Sequence, residues 1–361
     1  MEVLKEMPRR DPINGTFELT VRCNLKCKMC LFRHDDSENK EIMAKEMTAE
    51  EWIDMARQVA EAGTMNLLIT GGEPMLRPDF CDIYEGIYKQ GFIIELYTNA
   101  TLVSDKIMDT LRKYPPHKIG VTLYGASAET YKKVCGNGKA FDMCIKGITR
   151  LRELPSKMEF RTTIIKDNYS DFDSIENLVH ERFDKNARII STNMVIKSVR
   201  GGCCDVASCR LSPNENREFN IRRQINNIKK FVGEENFNIE NIVFNIDDLE
   251  NNSNNKENKK RITLFGCDAG MQSYTITWDG KLLACQILGE FYNYPYEEGF
   301  EKSWNSYPKL VKTYESDNIC INCNNKDICA PCYAFRYAET EGLGGCPNYI
   351  CNHTTELKKL L

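Results

Sequence analysis

Short apolar runs and amphipathic stretches alternate through the first half of the chain. Runs rich in β-branched and aromatic residues at 16–21, 66–70, 93–98, 118–123, 159–165 and 189–195 are separated by segments whose apolar positions recur at helical spacing. That spacing predicts helices over 80–90, 105–113, 141–154 and 172–183. A further helix is predicted to begin at Thr48, where Glu51 completes a capping box ahead of Trp52, Ile53, Met55, Val59 and Ala60. Strands and helices in alternation build βα units around a parallel sheet. Six such units predict an α/β fold with an open or partial (βα)6 barrel, in which ligands gather at the carboxyl ends of the strands.

The pattern changes after the sixth unit. ENNSNNKEN, at 250–258, is polar and poor in apolar residues and reads as a loop or linker. SYTITWDGKLLAC then reads as two β-type runs turned at Asp279-Gly280, a β-hairpin leading into a segment dense in cysteine. The expected organisation is a barrel over 1–210, a helical and polar connection over 211–262 and a small cysteine-rich domain over 263–361. No internal repeat is found.

Composition narrows the function classes. The net charge of -4, with 28% charged residues of both signs, provides no basic stripe for a phosphate backbone, so nucleic acid is not an expected partner. No apolar run reaches the length that spans a bilayer, and the N-terminus lacks a secretory apolar stretch; a cytoplasmic protein with no membrane partner is expected. In that compartment thiols stay reduced, so 17 cysteines point to metal or catalytic chemistry rather than to disulfides.

Three of those thiols, Cys23, Cys27 and Cys30, fall within eight residues just after the first predicted strand. A loop can wrap that spacing around one metal cluster, and a four-iron cube held by three thiolates keeps one iron open for another ligand. A zinc site or unrelated loop cysteines are the alternatives. Gly71-Gly72-Glu73-Pro74 directly follows the strand NLLIT, and glycines there let backbone approach a ligand closely.

The CxxxCxxC loop with GGEP one strand later resembles the signature of radical S-adenosylmethionine (SAM) enzymes. The resemblance implies that Cys23, Cys27 and Cys30 hold a [4Fe-4S] cluster whose open iron chelates the amino and carboxylate groups of SAM, while Gly71, Gly72, Glu73 and Pro74 contact its amino group. Thr98-Asn99-Ala100 stands where relatives usually carry Thr-Asn-Gly, and Thr122 with Gly125 stands at the next strand end; in similar enzymes these positions line the SAM ribose and carboxylate. Met29 stands where many relatives have an aromatic residue near adenine, a place a soft apolar side chain can fill.

The C-terminal spacing, Cys267-x12-Gly280-x4-Cys285 and then Cys320-x2-Cys323-x5-Cys329-x2-Cys332 and Cys351, resembles the seven-cysteine SPASM domain with two auxiliary clusters. It departs from the family pattern by one residue, having only Ala330-Pro331 before Cys332. By likeness, Cys267, Cys285 and Cys332 would ligate auxiliary cluster I, and Cys320, Cys323, Cys329 and Cys351 auxiliary cluster II, with Cys346 as the alternative last ligand. Three [4Fe-4S] clusters are thus expected. A zinc ribbon is the competing reading of the paired CxxC. Cys203, Cys204 and Cys209 form a further group after the last predicted strand, a candidate hydrogen-atom donor or extra ligand; Cys81, Cys135 and Cys144 read as small buried hydrophobes.

The resemblance implies reductive cleavage of SAM to a 5'-deoxyadenosyl radical that abstracts hydrogen from a substrate, with an electron donor such as flavodoxin or ferredoxin. SPASM relatives most often act on peptides or proteins, so ribosomal peptide maturation by a thioether or carbon-carbon crosslink, or by epimerisation, is the leading expectation. The 22 residues before Cys23 are too few for a peptide-recognition domain, so a separate recognition protein or the barrel itself would take that role. A sulfatase-maturing oxidase is an alternative, weakened because Gln286 stands where those enzymes place an Asp. A small-molecule radical SAM dehydrogenase is another, and an iron-sulfur or zinc scaffold or sensor is the non-enzyme reading.

Overall fold

The protein is described from a computed structural model covering residues 9–233, 265, 267–311, 323–325, 329, 332–340 and 347–359. Six parallel strands, β1 Asn14–Glu18, β2 Asn66–Thr70, β3 Ile93–Thr98, β4 Lys118–Thr122, β5 Lys157–Thr163 and β6 Ile189–Thr192, pair in sequence order. Seven helices occur before the last of these strands: α1 Asn39–Lys45, α2 Ala49–Glu61, α3 Phe80–Tyr88, α4 Asp105–Lys113, α5 Ala128–Cys135, α6 Lys139–Leu151 and α7 Phe172–Arg182. The strands alternate as the sequence predicts. On β2, Leu67 and Ile69 are buried while Asn66, Leu68 and Thr70 are half-buried, and Phe160 and Thr162 on β5 are buried while Arg161 and Thr163 are not. Period-2 alternation puts these two sets on opposite faces, one packed and one facing a cavity.

α2 shows how the buried face is covered. The predicted capping box forms, with the Thr48 side chain accepting from Glu51 N and Glu51 reaching back to Thr48 N at 2.7 Å. The helix then buries Trp52, Met55, Ala56 and Val59, one face of a 3.6-residue period, and Trp52 lies 4.9 Å from the Phe17 ring on β1. α5 was not anticipated; Ser127 caps it and Gly136, at φ 75°, ends it.

Beyond the barrel, α8 Val206–Cys209 precedes α9 Pro213–Val232, which opens on a second capping box at Ser212 and Glu215. The hairpin at Asp279-Gly280 is present, formed by β7 Ser273–Ile276 and β8 Leu282–Leu283, with β9 Tyr292–Asn293 added antiparallel. β7 also pairs in parallel with β1, Asn14 opposite Ser273 through Phe17 opposite Ile276, so β7, β8 and β9 continue the barrel sheet beyond β1 to nine strands among the described residues. Arg210 closes the C-terminal helices onto the barrel, paired with Glu339 at 2.6 Å and stacked on Tyr349 at 3.6 Å. Of the expected connection over 211–262, the described part is α9; no described helix is long and apolar enough to cross a membrane.

Candidate active site

β1 ends at Glu18, and the cysteine loop follows it at the carboxyl end of the sheet. The loop is fixed from both sides. Lys26 N and Lys28 N donate to the carbonyls of Cys135 and Val134 at the end of α5, both at 3.0 Å. From the segment after β6, Cys203 N donates to Arg33 O at 2.7 Å, the Cys204 thiol donates to Cys27 O at 3.3 Å, and Ser198 Oγ donates to Leu31 O at 2.5 Å. Cys203 and Cys204 are thus part of the loop's support.

The turn after β2 meets this loop at distances that only glycine permits. A Cβ on Gly71, whose φ is +144°, would lie 2.3 Å from Thr20 O, and one on Gly72 would lie 2.2 Å from Arg22 O. Gly72 N donates to Thr20 O at 2.7 Å and Glu73 N to Arg22 O at 2.9 Å, stitching the two strand ends together.

Glu73 is wholly buried behind that turn. Its carboxylate accepts from Met75 N at 3.1 Å, Thr98 Oγ1 at 2.8 Å and Asn99 N at 2.8 Å, so it ties the end of β2 to the end of β3. Asn99 passes the connection on: Nδ2 donates to Asn24 Oδ1 at 2.9 Å and approaches Cys23 Sγ at 3.8 Å. Ala100 follows at φ 58°, the only non-glycine with positive φ among the described residues. Burial pushes the Glu73 carboxyl up from 4.5 to about 7, against the three hydrogen bonds that favour its charged form. The folded chain then holds this proton more tightly than the unfolded chain does. Stability of the metal-free protein is expected to be fully present below about pH 4.5 and to fall as pH rises through about 7, and this component should vanish in Glu73→Gln. Urea midpoints measured across that window check it.

A cavity of about 600 Å³ opens at the strand ends and brings the sequence motifs together: Cys23, Cys27 and Cys30 line it with Met29, Gly71, Gly72, Thr98, Asn99 and Thr122. Glu73 and Pro74 stand behind its wall. Cys203, Cys204 and Cys209 are not among its lining residues. The sequence reading missed Tyr97, Tyr124 and Arg161. Arg161 is the one charged side chain on the described lining; its Nη1 donates to Tyr97 OH at 2.9 Å and to Glu159 Oε1 at 2.5 Å, and its guanidinium lies 4.7 Å over the Tyr97 ring.

Whether three thiols here suit a cluster can be judged from their surroundings. Among the described residues no three Cys, His, Asp or Glu side chains converge as ligands of a single ion do, so the fit rests on what the loop offers a larger group. The thiols share one cavity wall, and donors already point at the sulfurs: Leu25 N reaches Cys23 Sγ at 3.4 Å, and the Phe32 and Arg33 amides bond Cys30. Burial pushes Cys23 up to about 12 and raises Cys30, while Cys27 is raised by its hydrogen bond with Cys135 and by burial. Protonated thiols with amide donors in place suit metal ligation, in which metal replaces the protons and the amides stabilise thiolate charge. The residues fit the group.

Residues 17–179 match the family model of the Radical SAM superfamily. Residues 17–179 thus form a Radical SAM domain. An AdoMet-dependent heme synthase of Methanosarcina barkeri is 26% identical over 333 residues, which cover 90% of this chain and 92% of that one. Streptococcus suis SuiB bound to precursor peptide SuiA has the same fold, with a TM-score of 0.67 at 16% identity over 95% of this chain and 76% of that one. anSMEcpe with bound AdoMet matches with a TM-score of 0.66 at 18% identity over 96% of each chain. These two likenesses are of fold.

Beyond this domain the C-terminal cysteines are only partly described. Cys285 is raised by burial and, further, by the neighbouring thiols of Cys332 and Cys267, so these three share one neighbourhood. Cys323 and Cys329 are joined through Asn325, whose N donates to Cys323 Sγ at 3.4 Å and whose carbonyl accepts from Cys329 N at 2.8 Å. Cys351 lies on the helix Asn348–Lys358, and Cys320 and Cys346 lie outside the described residues.

Proposed function

We propose that this chain is a radical SAM enzyme that modifies a peptide, using three [4Fe-4S] clusters and SAM. The observation that carries the SAM site is the meeting of the three loop thiols with the Gly71-Gly72 turn and the β3 and β4 ends on one cavity. Cys23, Cys27 and Cys30 would hold the first cluster, with Gly71, Gly72, Thr98, Asn99 and Thr122 around SAM and Met29 in the vicinity of adenine. When bound, the cluster and SAM supply a one-electron reductive cleavage that yields a 5'-deoxyadenosyl radical for hydrogen abstraction.

The chain's own residues orient and enclose. Gly71 and Gly72 keep the turn flat against the cysteine loop, and Glu73 locks Thr98 and Asn99 in place from behind. Arg161 is placed to receive the carboxylate of an amino acid such as SAM: its Nη2 and Nε atoms have no hydrogen-bond partner among the described residues. Arg161→Met is therefore expected to raise the dissociation constant of SAM about tenfold to a hundredfold, since a hydrogen bond to a charged group contributes about 1.5–3 kcal/mol. Equilibrium dialysis of SAM at matched iron content checks this, and unchanged affinity would remove Arg161 from the site.

Cys267, Cys285 and Cys332 would hold auxiliary cluster I, a reading supported by their shared neighbourhood. Cys320, Cys323, Cys329 and Cys351 would hold auxiliary cluster II, with Cys346 as the alternative. Cys203 and Cys204 act as supports of the loop in this reading, and Cys209 accepts from Lys166 N at 2.9 Å; none of the three is read as a hydrogen donor, because they are absent from the described cavity lining. A peptide substrate is supported by the fold shared with proteins solved with peptides; a separate peptide-recognition protein and a flavodoxin or ferredoxin would complete the system in the cytoplasm. A tetrapyrrole substrate is the second reading, favoured by the heme synthase that matches 90% of the chain. Gln286 in place of an acid disfavours the sulfatase-maturing reaction. The deciding experiment is anaerobic incubation of the reconstituted enzyme with SAM, reductant and candidate peptides, followed by mass analysis. 5'-Deoxyadenosine together with a peptide mass change supports the proposal, and a change in a tetrapyrrole alone selects the second reading.

A further inference from the structure

The cavity has a second side whose chemistry differs from the SAM wall. The segment after β6 is drawn toward β1 and the C-terminal region: Arg200 pairs with Glu18 at 2.7 Å and donates to Gln286 O at 2.8 Å, while Lys197 N donates to Glu339 Oε1 at 3.0 Å. This closure brings Met194, Val195 and Ile196 into the cavity lining with Gln286, Ile287 and Phe335 of the C-terminal region and Phe32 of the cysteine loop, and these residues are its second side. No charged side chain lines that side among the described residues. Gln286 is its polar exception, and the side-chain amide of Gln286 has no hydrogen-bond partner among them.

We propose that this side seats one uncharged, apolar side chain of the peptide substrate, with the Gln286 amide hydrogen-bonded to the substrate backbone beside it. The inference rests on the peptide reading above and names what that peptide presents. A carboxylate or ammonium entering here would lose its hydration without gaining a counter-charge, which an apolar lining makes costly. A neutral amide facing the same lining meets a group that can both donate and accept, as a peptide bond requires. Size agrees with charge. The cavity is about 600 Å³, toward the middle of the range that ligand pockets span, and SAM must share it, which leaves space for a side chain rather than a tetrapyrrole. Arg161, the sole cation of the lining, already neighbours Glu159 and cannot balance a multiply charged ligand.

The test is equilibrium dialysis of the reconstituted, SAM-loaded full chain against capped pentapeptides Gly-Gly-X-Gly-Gly, with X as Leu, Phe, Asp or Lys, and against coproporphyrin as a tetracarboxylate. The Leu and Phe peptides are expected to bind at least about tenfold more tightly than the Asp and Lys peptides. Gln286→Ala, compared at matched iron content, should weaken every peptide by about tenfold and keep their ranking, and Ile287→Asp should move the preference to Lys. An Asp or Lys peptide binding most tightly to the unaltered chain would overturn this inference and leave the peptide reading standing. Coproporphyrin binding with no peptide bound would overturn both. Failure of all five probes while SAM stays bound would overturn the inference too, because a seat for one side chain has to hold it from a short peptide.

Discussion

Changing Cys23, Cys27 and Cys30 together to Ala is expected to abolish cleavage of SAM and to lower iron after anaerobic reconstitution from about twelve to about eight per chain. The argument depends on the loop surviving the change. Its backbone is held by Lys26 and Lys28 donating to α5 and by Ser198, Cys203 and Cys204 on the other side, none of which involves the three altered sulfurs. The side chains lost make only sulfur hydrogen bonds, with Leu25, Asn99 and nearby amides and, at Cys27, with the Cys135 and Tyr124 side chains. The variant should therefore keep its circular dichroism and the iron of the C-terminal region, so that loss of activity reports the cluster rather than the fold. Zinc in place of iron in the unaltered chain, or cleavage surviving the triple change, would end the mechanistic reading.

Arg200→Met should be the most damaging single change to stability. The Arg200 and Glu18 side chains are only 10% and 3% exposed, and they meet through two bonds of 2.8 and 2.7 Å. Removing one partner of such a pair strands the other charge, at a cost of about 3–5 kcal/mol. Arg200 also donates to Gln286 O and lies 4.8 Å over the Phe32 ring, so the variant loses ties to the cysteine loop and to the C-terminal segment at once. An apparent Tm lowered by on the order of 10 °C is expected, with the Glu18→Met, Arg200→Met double variant recovering much of it because no charge is left stranded. Scans at one fixed heating rate compare the three proteins. A neutral single variant, or a double variant no better than it, would show that the pair contributes little.

The sequence shows the barrel more readily than it shows the site. Strands β2 and β3 are predicted to their ends because period-2 alternation against amphipathic helices is a local signal. β1 is expected at 16–21 and found at Asn14–Glu18, since its start is set by pairing with β2 and β7, partners far away in sequence. The run expected over 189–195 stops as a strand at Thr192, and residues 194–196 leave the sheet to line the cavity. The cysteine loop and the glycine turn are legible because each is contiguous. Tyr97, Tyr124 and Arg161 are not, because nothing local marks them; each is an ordinary residue until folding sets it beside the others. Glu73 is legible as part of a motif, yet its place behind the wall emerges only with its partners Thr98 and Asn99.

The pairing of β1 with β7 also sets an order of events during synthesis. Asn14 and Ser273 are register partners, and at about 5–20 residues per second the ribosome delivers the second roughly 13 to 52 s after the first. Throughout that interval the strand that leads into Cys23 has one flank unpaired, so the loop thiols are made early and their final scaffold arrives late. Metal loading is then best matched to the released chain, and a cell that loads it must keep three reduced thiols waiting on a growing polypeptide.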